Sequence, residues 1–177
     1  MIIKYGCVKL RAVEEKDFEL LLNMINAPEI ENMTGGWHYP ISCIVQKRWM
    51  ENFENSDHAI KLMIELKNLK TIGMISLENV NWKDRTAEVS YKISADLEDR
   101  IKGDTLDALK GILEYAFYEL GMNCIYAKIL EDNYLSRNLC KRAGFIEEGI
   151  LRKRIYKKGN YINFVSVSIL KEEFERE

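Results

Sequence analysis

Residues 130–145 decide how the chain is read: Leu130-Glu131-Asp132-Asn133-Tyr134-Leu135-Ser136-Arg137-Asn138-Leu139-Cys140-Lys141-Arg142-Ala143-Gly144-Phe145. The segment leaves an apolar strand expected over Asn123 to Leu130 and turns at Asp132-Asn133. It then runs one short helix over Asn133 to Ala143, stopped by Gly144. Asn133, Ser136, Arg137 and Cys140 stand at i, i+3, i+4 and i+7, so they share one helical face. A polar face of Asn, Ser and Cys can line a groove. The alternative is an N-cap asparagine and a cysteine that fills space.

Upstream lies a second informative stretch, Arg100-Ile101-Lys102-Gly103-Asp104-Thr105. It opens a helix expected over Asp104 to Leu120, whose Leu106, Leu109, Ile112, Leu113, Ala116, Phe117 and Leu120 form an apolar stripe closed by Gly121. Free backbone N–H groups and the helix dipole make such a start partly positive. Gly103 lets a phosphate approach the backbone, and Arg100 and Lys102 add charge. This is the composition of an anion cradle suited to a pyrophosphate. A solvated turn with an ordinary glycine is the other reading.

Further upstream the period changes to two. Ala59 to Leu66, Thr71 to Val80 and Thr86 to Ser94 read as three strands of an antiparallel meander. In the last, Ala87, Val89, Tyr91 and Ile93 face one way and Glu88, Ser90 and Lys92 the other. Cys7 to Ala12 reads as the first strand and Asp17 to Asn26 as a helix ended by Pro28. Met33 to Pro40 is a loop. Ser42 caps a second helix with Val45, Trp49, Met50 and Phe53 on its buried side. Phe145 to Tyr156 and Tyr161 to Leu170 form a hairpin about Lys157-Lys158-Gly159-Asn160. The order, βααβββαβαββ, is mixed α/β.

The 177 residues suit one domain over positions 1–177, and 47% apolar residues supply a core. With 26 Lys+Arg against 28 Asp+Glu the net charge is −2, which argues against a nucleic-acid partner. The chain carries no long uncharged apolar run and its start has no signal-peptide pattern, so a cytoplasmic protein with no membrane partner is expected. Cysteines at 7, 43, 124 and 140 are too widely spaced for a zinc site and read as free thiols. There are two histidines, His38 and His58, and no G-x-S-x-G, H-E-x-x-H, Walker or G-x-G-x-x-G motif, so no metal is expected and most hydrolase, kinase and dinucleotide readings fall away.

Taken together, R-x-x-G-x-(G/A) before a helix, then a strand, then N-x-x-S-x-x-L-x-x-x-x-G-F, resembles the GNAT acyl-CoA-dependent N-acetyltransferases. The resemblance covers nearly the whole chain. Val8-Lys9-Leu10-Arg11, Ala87-Glu88-Val89-Ser90-Tyr91 and Gly144-Phe145-Ile146-Glu147-Glu148-Gly149 look like the ribosomal-protein N-terminal (Rim-type) branch, itself similar to bacterial spermidine acetyltransferases. It implies a strongly bent mixed sheet flanked by helices, with the strands at Thr86–Ser94 and Asn123–Leu130 splayed to admit the pantetheine arm of acetyl-CoA. It implies that Arg100, Ile101, Lys102, Gly103, Asp104 and Thr105 hold the pyrophosphate. Backbone groups of Val89, Tyr91 and Ile93 would pair with pantetheine like an added strand, and Asn133 and Ser136 would touch the same arm. Two departures stand out. Thr105 replaces the usual Gly or Ala, which narrows backbone approach but adds a hydroxyl donor. Asp104 puts a carboxylate beside the phosphates, unfavourable unless it points to solvent. Weaker cofactor affinity than in typical members is implied.

Acetyl transfer to an amine needs a base, an oxyanion donor and a leaving thiolate. A backbone N–H around Val89–Tyr91 is the expected oxyanion donor. Glu88 is the first base candidate and also a substrate contact; Glu131 is the second. Either can instead be a solvated carboxylate. Cys140 occupies the position where many members carry the acid tyrosine, and it is either that acid or a packing residue. Ser136 is the next hydroxyl, followed by Tyr134 and Tyr91. Trp37 and Tyr39, in a glycine loop, either clasp the amine by cation–π contact or cover the core. His38 is a weaker base candidate. Lys141, Arg142, Arg152, Lys153, Arg154, Lys157 and Lys158 form a basic cluster, read mainly as a solvated hairpin. The Rim-type resemblance favours a protein N-terminal α-amine as acceptor, transferred to directly. A polyamine, amino sugar or antibiotic amine follows, and a non-catalytic acyl-CoA-binding module is the rival of another class. Another nucleotide in the cradle, and a homodimer, are left open.

Overall fold

The computed structural model describes residues 2–35, 39–52, 57–94 and 103–174. Eight strands form one sheet in the order β1-β2-β3-β4-β5-β6-β8-β7. They are β1 (Ile3–Tyr5), β2 (Val8–Arg11), β3 (Ile60–Leu66), β4 (Thr71–Asn81), β5 (Thr86–Ile93), β6 (Cys124–Leu130), β7 (Ile146–Lys157) and β8 (Asn160–Leu170). Each pairing is antiparallel except β5–β6, which is parallel. A parallel pair needs a crossover, and α4 (Asp104–Glu114) supplies it. The mixed, helix-flanked sheet expected from the sequence is the architecture found.

The core lies between β4, β5 and α4. Ile75, Leu77, Ala87 and Val89 meet Leu109, Ile112 and Leu113, all buried. The alternation in β5 and the apolar stripe in α4 point these side chains at one another, and each large one contributes about 2 kcal/mol through burial. The helix switches to a single π turn over Tyr115–Glu119, which still buries Ala116 and Phe117.

Three local expectations are corrected. Strand β1 precedes the first expected strand and folds onto β2 through Gly6, whose φ is +51°. Its turn fastens the start of α4, because the Cys7 amide donates to Asp107 Oδ2 at 2.8 Å. Pro28 does end α1 (Phe18–Asn26), but it also starts a further helix, α2 (Pro28–Met33). A proline at the first turn needs no N–H partner. In α3 (Cys43–Glu51) the Ser42 hydroxyl caps as expected, accepting from the Val45 amide at 3.3 Å. Its buried residue is Gln46, however, and Val45 is exposed, because α3 faces a cavity instead of the core. Phe53 lies outside the described residues.

Two buried polar ties position the helices. Arg11 makes a bidentate pair with Asp17 (2.7 and 2.8 Å) and reaches Glu65 at 2.8 Å, joining β2 and β3 to the start of α1. Lys157, read from sequence as part of a basic cluster, is buried. It donates to the Glu31 and Thr34 carbonyls and pairs with the Glu31 carboxylate at 3.3 Å, pinning the end of α2 to the β7–β8 hairpin.

Candidate active site

β5 and β6 pair at Thr86↔Cys124, Ala87↔Ile125 and Glu88↔Tyr126, and no further pair forms among the described residues. The ladder to β4 continues without a break through Gly73↔Ile93. The Ser94 amide donates to Ile72 O at 2.8 Å, so by the two-residue period Lys92 and Ser90 also turn their backbone groups to β4. Those of Val89, Tyr91 and Ile93 point the other way, into the gap left by β6. The Val89 N–H closes the Glu88↔Tyr126 bridge, and beyond it the backbone groups of Tyr91 and Ile93 have no ladder partner in β6 among the described residues, a strand edge of the kind an extended ligand arm pairs with.

A cavity of about 140 Å³ fills this gap. Glu88, Val89, Ser90 and Tyr91 line it from β5, and Ala127 to Leu130 from β6. Asn133, Ser136 and Cys140 close it from the side of α5 (Tyr134–Arg142), and Met33, Thr34 and Gly35 from the segment that Lys157 pins.

Glu88 is held at its rim. Its Oε2 accepts from Asn79 Nδ2 at 2.9 Å and from Lys128 Nζ at 3.2 Å. Asn79 occupies a bulge in β4, where the register shifts between Glu78 and Asn81 and Asn79 takes φ +50°. Bulges re-aim side chains beside sites, and this one supplies a partner no motif had signalled. Glu131 is not in the cavity lining; its Oε2 accepts from Asn163 at 2.8 Å. The second base candidate thus stands outside this lining, tied to Asn163.

Tyr91 is the residue whose importance grew. Its hydroxyl is the one buried side-chain oxygen or nitrogen without a hydrogen-bond partner among the described residues. Burial first, then the neighbouring Cys140, holds its pKa above the ordinary phenol range; the Ser136 hydroxyl, close by but without hydrogen-bond geometry to it, acts the other way. Cys140 is buried in the same cavity, and burial pushes its thiol up to about 12. A thiol so raised stays protonated near neutral pH, which suits either a proton donor or a packing residue and does not suit an activated nucleophile. Ser136 lines the cavity, while Tyr134 is 72% exposed under the Arg137 guanidinium and does not. Arg137, on the same helical face as Ser136, is not in the cavity lining and pairs with Glu147 at 2.9 Å. Asn133 combines both readings: it lines the cavity, caps α5 by accepting from the Ser136 amide at 3.1 Å, and donates to Met33 O at 2.9 Å.

At the head of α4, Gly103 has φ +99°, and a Cβ there would meet only open space. Glycine is required by the backbone angle. Asp104 does not point to solvent; it is buried, close enough to Cys7 to raise that thiol's pKa. The Thr105 hydroxyl donates to Asp104 Oδ1 at 2.9 Å, so the extra donor is spent inside the protein. The carboxylate expected to oppose a phosphate is thereby turned inward. Arg100, Ile101, Lys102, Trp37 and His38 lie outside the described residues.

A second cavity, about 470 Å³, opens on the face of the sheet beneath α1 and α3. Its walls include Leu21, Met24, Ile25, Val45 and Trp49, and its floor carries Lys61, Ser76, Glu78 and Lys92. Tyr39 stands at this cavity, 63% exposed, so it does not cover the core. Ser90 and Tyr91 line both cavities, which therefore meet across β5.

A sheet parted between two parallel strands, with a cavity in the parting and a second one across the strand, is the arrangement that the resemblance to acetyltransferases implies. The chain belongs to the acetyltransferase (GNAT) domain family, whose model matches residues 8–146. It is 38% identical over 105 residues to the "Putative ribosomal N-acetyltransferase YdaF" of Bacillus subtilis (strain 168), a match spanning 59% of this chain and 56% of that protein. It is 22% identical over 167 residues to the spermidine N(1)-acetyltransferase of Escherichia coli (strain K12), covering 94% of this chain and 88% of the relative. The spermidine N-acetyltransferase from Vibrio cholerae, solved in complex with CoA and spermine, superposes with a TM-score of 0.86 over 94% of this chain and 96% of its own, at 23% identity. At that identity the likeness concerns the fold.

Proposed function

We propose that the protein transfers an acetyl group from acetyl-CoA directly to a primary amine, with a protein N-terminal α-amine as the first acceptor to test. The observation that carries this reading is the end of β5–β6 pairing at Glu88↔Tyr126, beyond which Tyr91 and Ile93 have no ladder partner in β6 among the described residues, next to the cavity lined by Glu88, Ser136 and Cys140. The likeness to YdaF supports the choice of acceptor. A cytoplasmic setting suits both substrates.

In this reading acetyl-CoA is a substrate and supplies the thioester. The neutral amine attacks the thioester carbonyl, a C–N bond forms and the C–S bond breaks. Glu88 takes the proton released from nitrogen, directly or through a water. The backbone N–H of Tyr91, the first past the last β5–β6 bridge, stabilises the oxyanion, a contact worth about 3 kcal/mol. The leaving thiolate accepts a hydrogen bond from Tyr91, which replaces Cys140 as the acid candidate. The head of α4, with Gly103, receives the pyrophosphate. An acetyl-enzyme on Cys140 has no part, since its thiol stays protonated near neutral pH.

Thiol release from acetyl-CoA with peptides bearing free N-termini is the test. Release that depends on the free amine is expected. Tight acetyl-CoA binding with no release for any amine would instead identify a binding module.

A further inference from the structure

The 470 Å³ cavity has the size of a small-molecule site and meets the thioester cavity at Ser90 and Tyr91. Two ammonium groups and one carboxylate stand on its floor, those of Lys61, Lys92 and Glu78. The carboxylate is already committed: Glu78 Oε1 accepts from Lys61 Nζ at 3.0 Å and from the Ser76 hydroxyl at 3.1 Å. Lys92 is half-buried and has no ion-pair or hydrogen-bond partner among the described residues. Burial lowers its pKa; the pull of Glu78, larger than the opposing push of Lys61, offsets this only in part. The apolar walls keep the local dielectric low, so the surplus positive charge is poorly screened. A polyamine would add further positive charges beside two lysines. A neutral-bodied amine would leave Lys92 with only the carboxylate that Lys61 already holds.

We infer that the acceptor is a primary amine that also carries a carboxylate, which Lys92 holds while the apolar walls take the acceptor's body. The inference rests on the acetyl-transfer reading above and names the acceptor class within it. Lys92 lies two residues from Ser90 on the same strand face, about 7 Å along the strand. A carboxylate anchored there leaves the amine within reach of the junction between the cavities. The carboxylate has two sources, the α-carboxylate of a free amino acid or an acidic side chain next to a peptide's N-terminus.

Calorimetric titration of the whole protein tests this without relying on turnover. Methionine is compared with methioninamide, and Met-Asp amide with Met-Asn amide; spermidine is the polycation control. The better acid of the two pairs is expected to bind about tenfold tighter than its neutral partner, and which pair shows the preference names the source. Lys92→Met should erase the preference, and Lys92→Arg should keep it. Binding of acetyl-CoA by each variant checks that it has folded. The inference is overturned if the neutral partners or spermidine bind as tightly as the acids, if neither acid binds at millimolar concentration, or if Lys92→Met leaves the preference intact. Thiol release is measured separately. A carboxylate preference with no release for any amine would overturn the transferase reading and leave the pocket assignment standing.

Discussion

Asn79 donates from its side-chain amide to Glu88 Oε2 at 2.9 Å, across the bulge in β4. The bulge therefore aims a carboxylate at the parting of β5 and β6. If Glu88 receives the amine proton, Glu88→Gln should lower kcat about 100-fold and flatten the pH–rate profile, while acetyl-CoA affinity holds. Asn79→Gly keeps the positive φ and deletes the amide; as a positioning change it should lower kcat more modestly, with the KM for acetyl-CoA unchanged. Steady-state kinetics from pH 5 to 10 decide it, and unchanged kinetics in Glu88→Gln would remove the residue from the mechanism.

Tyr91→Phe separates a functional cost from a structural one. The hydroxyl is buried without a partner, an arrangement that costs about 1 kcal/mol or more. The variant should therefore melt about 2–4 °C higher while turning over at least about tenfold more slowly. A variant that is slower and also less stable would point to a hydrogen bond within the protein and away from the leaving thiolate.

Cys140 should be inert. Its thiol is buried with a pKa pushed up to about 12, whereas Cys43 is exposed. Mass spectrometry after brief alkylation at pH 7.5 should find Cys43 modified and Cys140 intact, and acetyl-CoA should leave no acetyl group on Cys140. Cys140→Ala should lose about 1–2 kcal/mol of stability through the cavity it leaves and keep kcat within a few-fold.

Gly103 and Gly159 form a matched pair. Both have positive φ, +99° and +82°, and at both a Cβ would meet nothing. Replacing either by Val should cost about 1–3 kcal/mol of backbone strain. Only Gly103→Val should also weaken acetyl-CoA binding, read by calorimetry. Equal affinity in both variants would count against the pyrophosphate site at the head of α4.

The Arg11 cluster predicts acid sensitivity. For Asp17, burial alone would raise the pKa, but hydrogen bonds from Arg11 and the Glu14 amide overcome it and leave the value lowered. For Glu65 the Arg11 hydrogen bond leads, and the pKa is again lowered. Folded values below unfolded ones mean the stabilisation is complete above the ordinary carboxylate range and lost as pH falls through the folded values. Urea titrations should show stability falling below about pH 4. Asp17→Asn should flatten that fall and cost about 2 kcal/mol at pH 7, because it removes one of the two carboxylates that Arg11 holds in a largely buried position.

The alternation in Thr86 to Ile93, the stripe from Leu106 to Phe117 and the turn–helix–Gly-Phe segment after Leu130 were all legible in the sequence. Each is local: a side-chain period or a cap states which face is buried before any partner is known. Family-type spacing at Gly103, Asn133 and Ser136 was legible for the same reason. What escaped depends on neighbours far along the chain. Asp104 turned inward because the β1–β2 turn packs against the head of α4, some hundred residues away, and Lys157 left the basic cluster because Glu31 and Thr34 meet it there. The grip of Asn79 on Glu88, the orphaned hydroxyl of Tyr91 and the excess lysine beside Glu78 exist only once β3, β4 and β5 are in register and β6 has diverged. Periodicity specifies a face; hydrogen-bond satisfaction and charge balance are properties of what that face meets, and only the folded chain decides them.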